Sequence, residues 1–273
     1  MEDLFSKDNL KDRMLRLDAQ RTHQDFEWLK YLDQRNSEFF NNEEFIDHER
    51  FRYWFMRMHL LIPLLSSVEK AFNRKIVATT LTGVIKEKPL KGLKVLELGF
   101  GSTQDRPALY CLAELGATTY GVEIDQDGVN SAKSMVGEPI PEEFKDADGN
   151  PLITESQIRQ GDIGNLSEIF PDVQFDVVCS DAVFAGSPLA GTPEHIFDEE
   201  FKEAKAIKWL TETFKVLKPG GIAVHSNISY DPYLPEVDAI EKCGFKILVL
   251  YKSMESKRKL AGDNYSVFMK VGE

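Results

Sequence analysis

The chain is poor in cysteine, has no excess of basic charge and carries no long hydrophobic run. It holds three cysteines in 273 residues, Cys111, Cys179 and Cys243, far apart and without metal-ligand spacing. That excludes a disulfide framework and a cysteine zinc site; the thiols read as reduced core residues of a cytoplasmic protein, and no metal is expected. The opening Met1-Glu2-Asp3-Leu4 has neither a basic region nor a long apolar segment, so no secretory signal is expected. The apolar run from Met58 to Leu65 contains His59 and Pro63 and follows Arg52 and Arg57. It falls far below the ~20 residues of a membrane helix and reads as a buried helix, with no membrane partner. Net charge is −12, and residues 1–90 are balanced at 15 basic and 15 acidic side chains, so the excess lies in 91–273. An acidic body repels nucleic acid and anionic membrane surfaces, which argues against a DNA or RNA substrate. Monomer and homo-oligomer both remain open.

What is present is an ordinary globular mixture, 42% apolar and 29% charged. Residues 1–40 carry helical spacing at Leu10, Met14 and Leu17 and at Phe26, Leu29 and Leu32. Asn41 and Glu44 stand at capping-box spacing before a helix that meets Pro63, and Ser66 and Glu69 repeat the spacing before a further helix to about Ile85. The expectation is a helical cap over 1–90, too short for an independent domain, packed on a body over 91–273. The aromatic stretch Phe51 to Phe55 reads as core between the two, and the same helix can present a second face as a lid.

From Leu93 onward, strand and helix patterns alternate. Strands are expected at 94–98, 118–124, 157–159, 175–180, 222–225, 245–251 and 265–271, with helices through 110–115, 129–135, 205–217 and 234–243. This predicts an α/β fold: a mostly parallel seven-stranded sheet with helices on both faces and an antiparallel last strand. Residues 137–157 read as an inserted loop, and Asp146 to Asn150 as a turn, because the glycine falls too early for a calcium loop.

The chain is organised around Lys94-Val95-Leu96-Glu97-Leu98-Gly99-Phe100-Gly101-Ser102-Thr103, a strand followed by a glycine turn, with a helix expected to open near Asp105 and Pro107. Strand, glycine turn and helix start make a nucleotide cradle. A dinucleotide fingerprint needs G-x-G-x-x-G, and Gln104 stands where its third glycine belongs. Downstream come Glu123-Ile124 at the end of the second strand, Gly161-Asp162-Ile163 after the third, Asp176 to Asp181 along the fourth, and Lys218-Pro219-Gly220-Gly221.

In this order the motifs resemble those of class I S-adenosylmethionine-dependent methyltransferases, over roughly residues 90 to 273. The resemblance implies S-adenosylmethionine as cofactor. It places Glu97, Gly99 and Gly101 under the methionine part, Glu123 with Ile124 on the ribose, Asp162 and Ile163 on the adenine, and Asp181 at the fourth strand's tip. His195, His225 and Asp181 stand where the family builds its acceptor pocket and are the candidate catalytic groups. Asp181-Ala182-Val183-Phe184 departs from the N/D-P-P-Y/F signature of nucleobase and glutamine methylation. The implied activity is methyl transfer to oxygen or nitrogen of a small metabolite. The alternatives are a catalytically inactive cofactor-binding partner subunit, a protein methyltransferase, and aminopropyl transfer on the same fold.

Overall fold

The computed structural model describes residues 23–39, 52–101, 108–136, 142–184, 189, 191, 198–227, 234–253 and 264–272. The expected helix at Leu10–Leu17, the start signal at Asn41–Glu44, the helix opening at Asp105–Pro107 and His195 lie outside them. Seven strands form one sheet: β1 (Lys94–Leu98), β2 (Thr118–Glu123), β3 (Ile158–Gln160), β4 (Phe175–Asp181), β5 (Leu217–Asn227), β6 (Phe245–Ser253) and β7 (Asn264–Lys270). Their order is β3-β2-β1-β4-β5-β7-β6. The first five pair in parallel, and β7 runs antiparallel to both β5 and β6. The near-continuous apolar character of Val95–Leu98 and Val177–Cys179 belongs to strands covered on both faces.

Eight helices accompany the strands among the described residues: α1 (Phe26–Glu38), α2 (Arg52–Ala71), α3 (Leu81–Glu87), α4 (Ala108–Glu114), α5 (Gln126–Val136), α6 (Leu166–Ile169), α7 (Glu199–Val216) and α8 (Val237–Lys242). None is long and apolar enough to cross a membrane. One apolar cluster joins Trp28 and Leu32 of α1, Trp54, Leu60, Leu61, Leu64, Leu65 and Val68 of α2, and Cys111 and Leu112 of α4 to Val95, Val177, Cys179, Ile222, Val224 and Val267 of the sheet. The opposite sheet face, with Leu96, Leu98, Val178, Ala223 and Phe268, packs on Ala206, Trp209 and Leu210 of α7. The N-terminal helices and the sheet therefore share a core, and the Trp54 indole donates to Glu114 across it at 2.8 Å.

Two elements differ from the sequence expectation. The predicted break at Pro63 is absent, because α2 runs through it. Proline removes one helical hydrogen bond, the one the His59 carbonyl would accept, at a cost of ~3 kcal/mol. Burial of five leucine and valine side chains on the same helix, at about 2 kcal/mol each, exceeds that. Ser66 and Glu69 do not cap a helix start. The Ser66 hydroxyl donates to Asn36 Oδ1 at 2.6 Å, and Glu69 accepts from Arg35 Nε at 2.7 Å and from the Ile76 amide at 3.0 Å. The second difference is Lys218-Pro219-Gly220-Gly221. It is not a turn between helix and strand but a bulge inside β5: Phe175 pairs with Leu217, and the next pair is Val177 with Ile222.

Candidate active site

Sheet order reverses direction at β1, with β2 and β3 on one side and β4 and β5 on the other. In open α/β sheets ligands bind at such a point, outside the carboxyl ends of the strands. The register aligns the candidate residues along this edge. Gly161 donates its amide to the Glu123 carbonyl at 2.9 Å, and Gly99 donates to the Val122 carbonyl at 2.8 Å. Leu98 pairs with Ser180, so Gly99 and Asp181 are neighbouring tips, and Asp181 pairs with Ser226 of β5.

The glycine turn needs glycine for two separate reasons. Gly99 and Gly101 have φ of +61° and +78°, a region that L side chains rarely adopt. A Cβ on Gly99 would stand 2.6 Å from Val183 Cγ2, whereas a Cβ on Gly101 would meet no atom of the described residues within 4 Å. Gly99 is glycine so that the chain packs; at Gly101 the positive φ alone calls for it.

Glu123 is buried, and its carboxylate is already engaged. Oε2 accepts from the Gly101 amide at 2.7 Å, and Oε1 accepts from the amides of Ile124 and Asp125 at 2.8 and 3.1 Å. A carboxylate has about four acceptor positions, so one position on Oε2 remains. Beside it the Ile124 side chain is 67% exposed. Asp162 caps the turn that follows β3: its Oδ1 accepts from the Gly164 amide at 2.7 Å and from Trp209 Nε1 at 3.3 Å. Ile163 is buried in the α7-side core.

Glu97 points to the other side of β1. It is 1% exposed, and its two oxygens accept from the Ala108 and Leu109 amides at 3.2 and 2.6 Å, at the start of α4. Burial raises its pKa to about 7, against the opposing pull of the Arg57 guanidinium and those amides. The folded chain thus keeps a proton that the unfolded chain, near the ordinary 4.5, releases. The resulting stabilisation is complete below pH 4.5 and is lost as pH rises to about 7, an interval worth about 3 kcal/mol. Glu97→Gln keeps an acceptor for the amides and carries no charge. Its melting temperature relative to wild type should therefore climb between pH 5 and 7; a gap that stays constant would remove the buried-proton account.

The tip of β4 carries a group of charges that the motifs did not announce. Asp181 Oδ2 accepts from Arg57 Nη1 at 2.9 Å. His59 Nε2 lies 2.7 Å from the same oxygen, without the geometry of a directed hydrogen bond. The three side chains are 6%, 15% and 7% exposed for Asp181, Arg57 and His59. Asp181 Oδ1 is buried with no donor among the described residues, and the Ser226 hydroxyl next to it on β5 is likewise unpaired. Ala182 follows at φ +57°, with its amide on the Ser226 carbonyl. A left-handed alanine is a strained backbone held by its surroundings, and such positions cluster at functional sites. One sequence signal was available for Arg57 and His59: charged residues inside an apolar helical run must be paired when buried.

His225 stands apart from this group. Its side chain faces the α7 side of the sheet, with Nδ1 2.8 Å from the Ser180 hydroxyl and the ring against Phe184 and Phe268. Burial pushes its pKa down to about 3. The imidazole is enclosed by aromatics on the sheet face opposite Asp181, so the structure does not bring these two candidates together. The Cys179 thiol, between Glu97 and Asp181 in the sheet, is pushed up by burial and by both carboxylates, so no thiolate forms there.

Residues 89–259 match a family model described as a methyltransferase domain. No curated protein matches the chain. Similar solved structures include a TehB-like SAM-dependent methyltransferase from Corynebacterium glutamicum, 18% identical, with a TM-score of 0.43 over 70% of this chain and 86% of that one. A SAM-dependent methyltransferase from Methanosarcina mazei is 14% identical, with a TM-score of 0.45 over 70% and 98% of the two chains. A ribosomal protein L11 methylase from Lactobacillus delbrueckii is 13% identical, with a TM-score of 0.39 over 70% and 77%.

Proposed function

The chain belongs to the methyltransferase domain family, whose cofactor is S-adenosylmethionine, and from that premise we propose that it methylates an oxygen or nitrogen of a small molecule held at the tip of β4. The residues present fit the cofactor. Among the described residues, none stands within 4 Å of where a Gly101 Cβ would be, Glu123 keeps an acceptor position for a ribose hydroxyl, Ile124 offers exposed apolar surface beside it, and Asp162 Oδ2 is left over for an amino group. Glu97 acts at one remove, by tying β1 to the start of α4 on the far side of the glycine turn.

When bound, S-adenosylmethionine supplies an electrophilic methyl group on a sulfonium. The protein's part is to align the acceptor, exclude water and receive a proton. The observation that carries the small-molecule reading is the Asp181 carboxylate, enclosed between α2 and the sheet with one oxygen unpaired. Arg57 offsets its charge. Asp181 Oδ1 then accepts a hydrogen bond from the acceptor's O–H or N–H and turns a lone pair toward the methyl group. Asp181, hydrogen-bonded to the acceptor through Oδ1, is the group that receives the proton, with Arg57 and His59 against its Oδ2. A site walled by a packed helix suits a compact polar substrate, and the net charge of −12 disfavours a nucleic acid.

Incubation with methyl-labelled S-adenosylmethionine and a fractionated cell extract tests this. Label is expected in the low-molecular-weight fraction, with an equal amount of S-adenosylhomocysteine released. Label found in the protein or RNA fraction would overturn the small-molecule reading.

A further inference from the structure

We propose that Trp209 is a positioning residue for base recognition: its indole N–H fixes Asp162 so that one carboxylate oxygen alone faces the ligand and selects an amino-bearing purine over a keto purine. The proposal rests on the assignment of Asp162 to the adenine made above. Its own basis is the division of labour within one carboxylate. Among the described residues Asp162 Oδ1 takes both donors, the Gly164 amide at 2.7 Å and Trp209 Nε1 at 3.3 Å, and Oδ2 takes none. A carboxylate held by a single backbone amide can still swing about its Cβ–Cγ bond. A second donor from a different element removes that freedom.

The donor is itself held. Trp209 is 6% exposed, and its ring stands edge-on to Phe184 at 5.9 Å, with Lys205 Nζ 5.1 Å from its centroid. Phe184 lies just beyond the β4 tip, on the α7 side of the sheet. Two further contacts from α7 grip the same segment. Lys208 Nζ donates to Asn165 Oδ1 at 3.3 Å, and Glu212 Oε2 accepts from the Ser167 amide and hydroxyl at 2.9 and 2.7 Å. Lys208, Trp209 and Glu212 of α7 thus hold residues 162–167 against the sheet, and Trp209 is the one that touches the group reading the base. An oriented carboxylate oxygen accepts from a 6-amino group and repels a 6-oxo group, and a site built to pair one polar group rejects the analogue that leaves it unpaired.

The test is calorimetric titration of the full chain with S-adenosylhomocysteine and with S-inosylhomocysteine, which differ only at that edge. Wild type is expected to prefer the adenine compound by roughly a hundredfold. Trp209→Phe keeps a ring in the core and deletes the donor; the preference should fall about tenfold, mostly through weaker binding of the adenine compound. Asp162→Asn offers an amide in place of a pure acceptor and should abolish the preference. If Asp162→Asn abolishes the preference and Trp209→Phe leaves it intact, the proposal is overturned while the adenine assignment stands. If Asp162→Asn also leaves it intact, both fall. Loss of affinity for both compounds in equal proportion in Trp209→Phe marks a merely structural role and also overturns the proposal. Should that variant fail to fold, the indole nitrogen spectrum of the wild-type protein decides. The Trp209 signal, identified by elimination with Trp28→Phe and Trp54→Phe, moves with S-adenosylhomocysteine; an unmoved signal overturns the proposal.

Discussion

Replacing Glu123 by alanine should raise the dissociation constant for S-adenosylhomocysteine by at least about a hundredfold, measured by calorimetry. Each hydrogen bond from a ribose hydroxyl to a carboxylate is worth about 1.5–3 kcal/mol, and two of them amount to a factor of roughly a hundred at the low end. The geometry adds a second element. Three of the carboxylate's acceptor positions are taken by the amides of Gly101, Ile124 and Asp125. For both hydroxyls to bind, the Gly101 amide must share or release Oε2. Glu123→Gln, which keeps one oxygen and loses the charge, should fall between wild type and alanine. If Glu123→Ala titrates like wild type, the ribose assignment is removed and with it the placement of the cofactor along this edge.

The second large effect concerns stability. Arg57→Met should lower the melting temperature by about 10 °C at neutral pH. The guanidinium is the directed hydrogen-bond partner of a carboxylate that is 6% exposed and already has one oxygen unpaired. Removing one member of a buried pair typically costs ~3–5 kcal/mol, because the other charge is left stranded in a poor solvent. For a domain of this size about 1 kcal/mol corresponds to roughly 2–4 °C. The double variant Arg57→Met, Asp181→Leu should recover much of the loss, since no charge is then stranded. A single variant that melts within two degrees of wild type would mean that Asp181 is hydrated or otherwise paired, contrary to the enclosed site described above.

Those two residues also mark what reading the sequence could reach and where it stopped. Glu123 could be found from its place after the second apolar run, because a strand end followed by a helix is a local pattern. The same holds for β1, whose limits were read correctly at Lys94 and Leu98. Asp162 followed from the Gly-Asp pair. Arg57 could not be found that way, since its partner lies 124 positions away and only the packing of α2 on β4 and β5 brings them together. Pro63 misled for the same reason: the local rule that proline ends a helix was outweighed by five buried side chains packed on one face of the sheet. The capping-box spacing of Ser66 and Glu69 was real as spacing, yet both side chains had partners on other elements. His225 was read from its position at the end of a strand, and period-two alternation decided which face it took. Val224 and Ser226 lie on the α2 side and His225 on the other, where the aromatics enclose it.

α2 brings Arg57 and His59 to Asp181 and, from Leu60 to Val68, forms the centre of the core over β4, β5 and β7. If the acceptor binds at Asp181 as proposed, ligand preference and foldability are written into a single helix. A lineage that changed its acceptor by altering positions 57 or 59 would first have to tolerate a weakened fold.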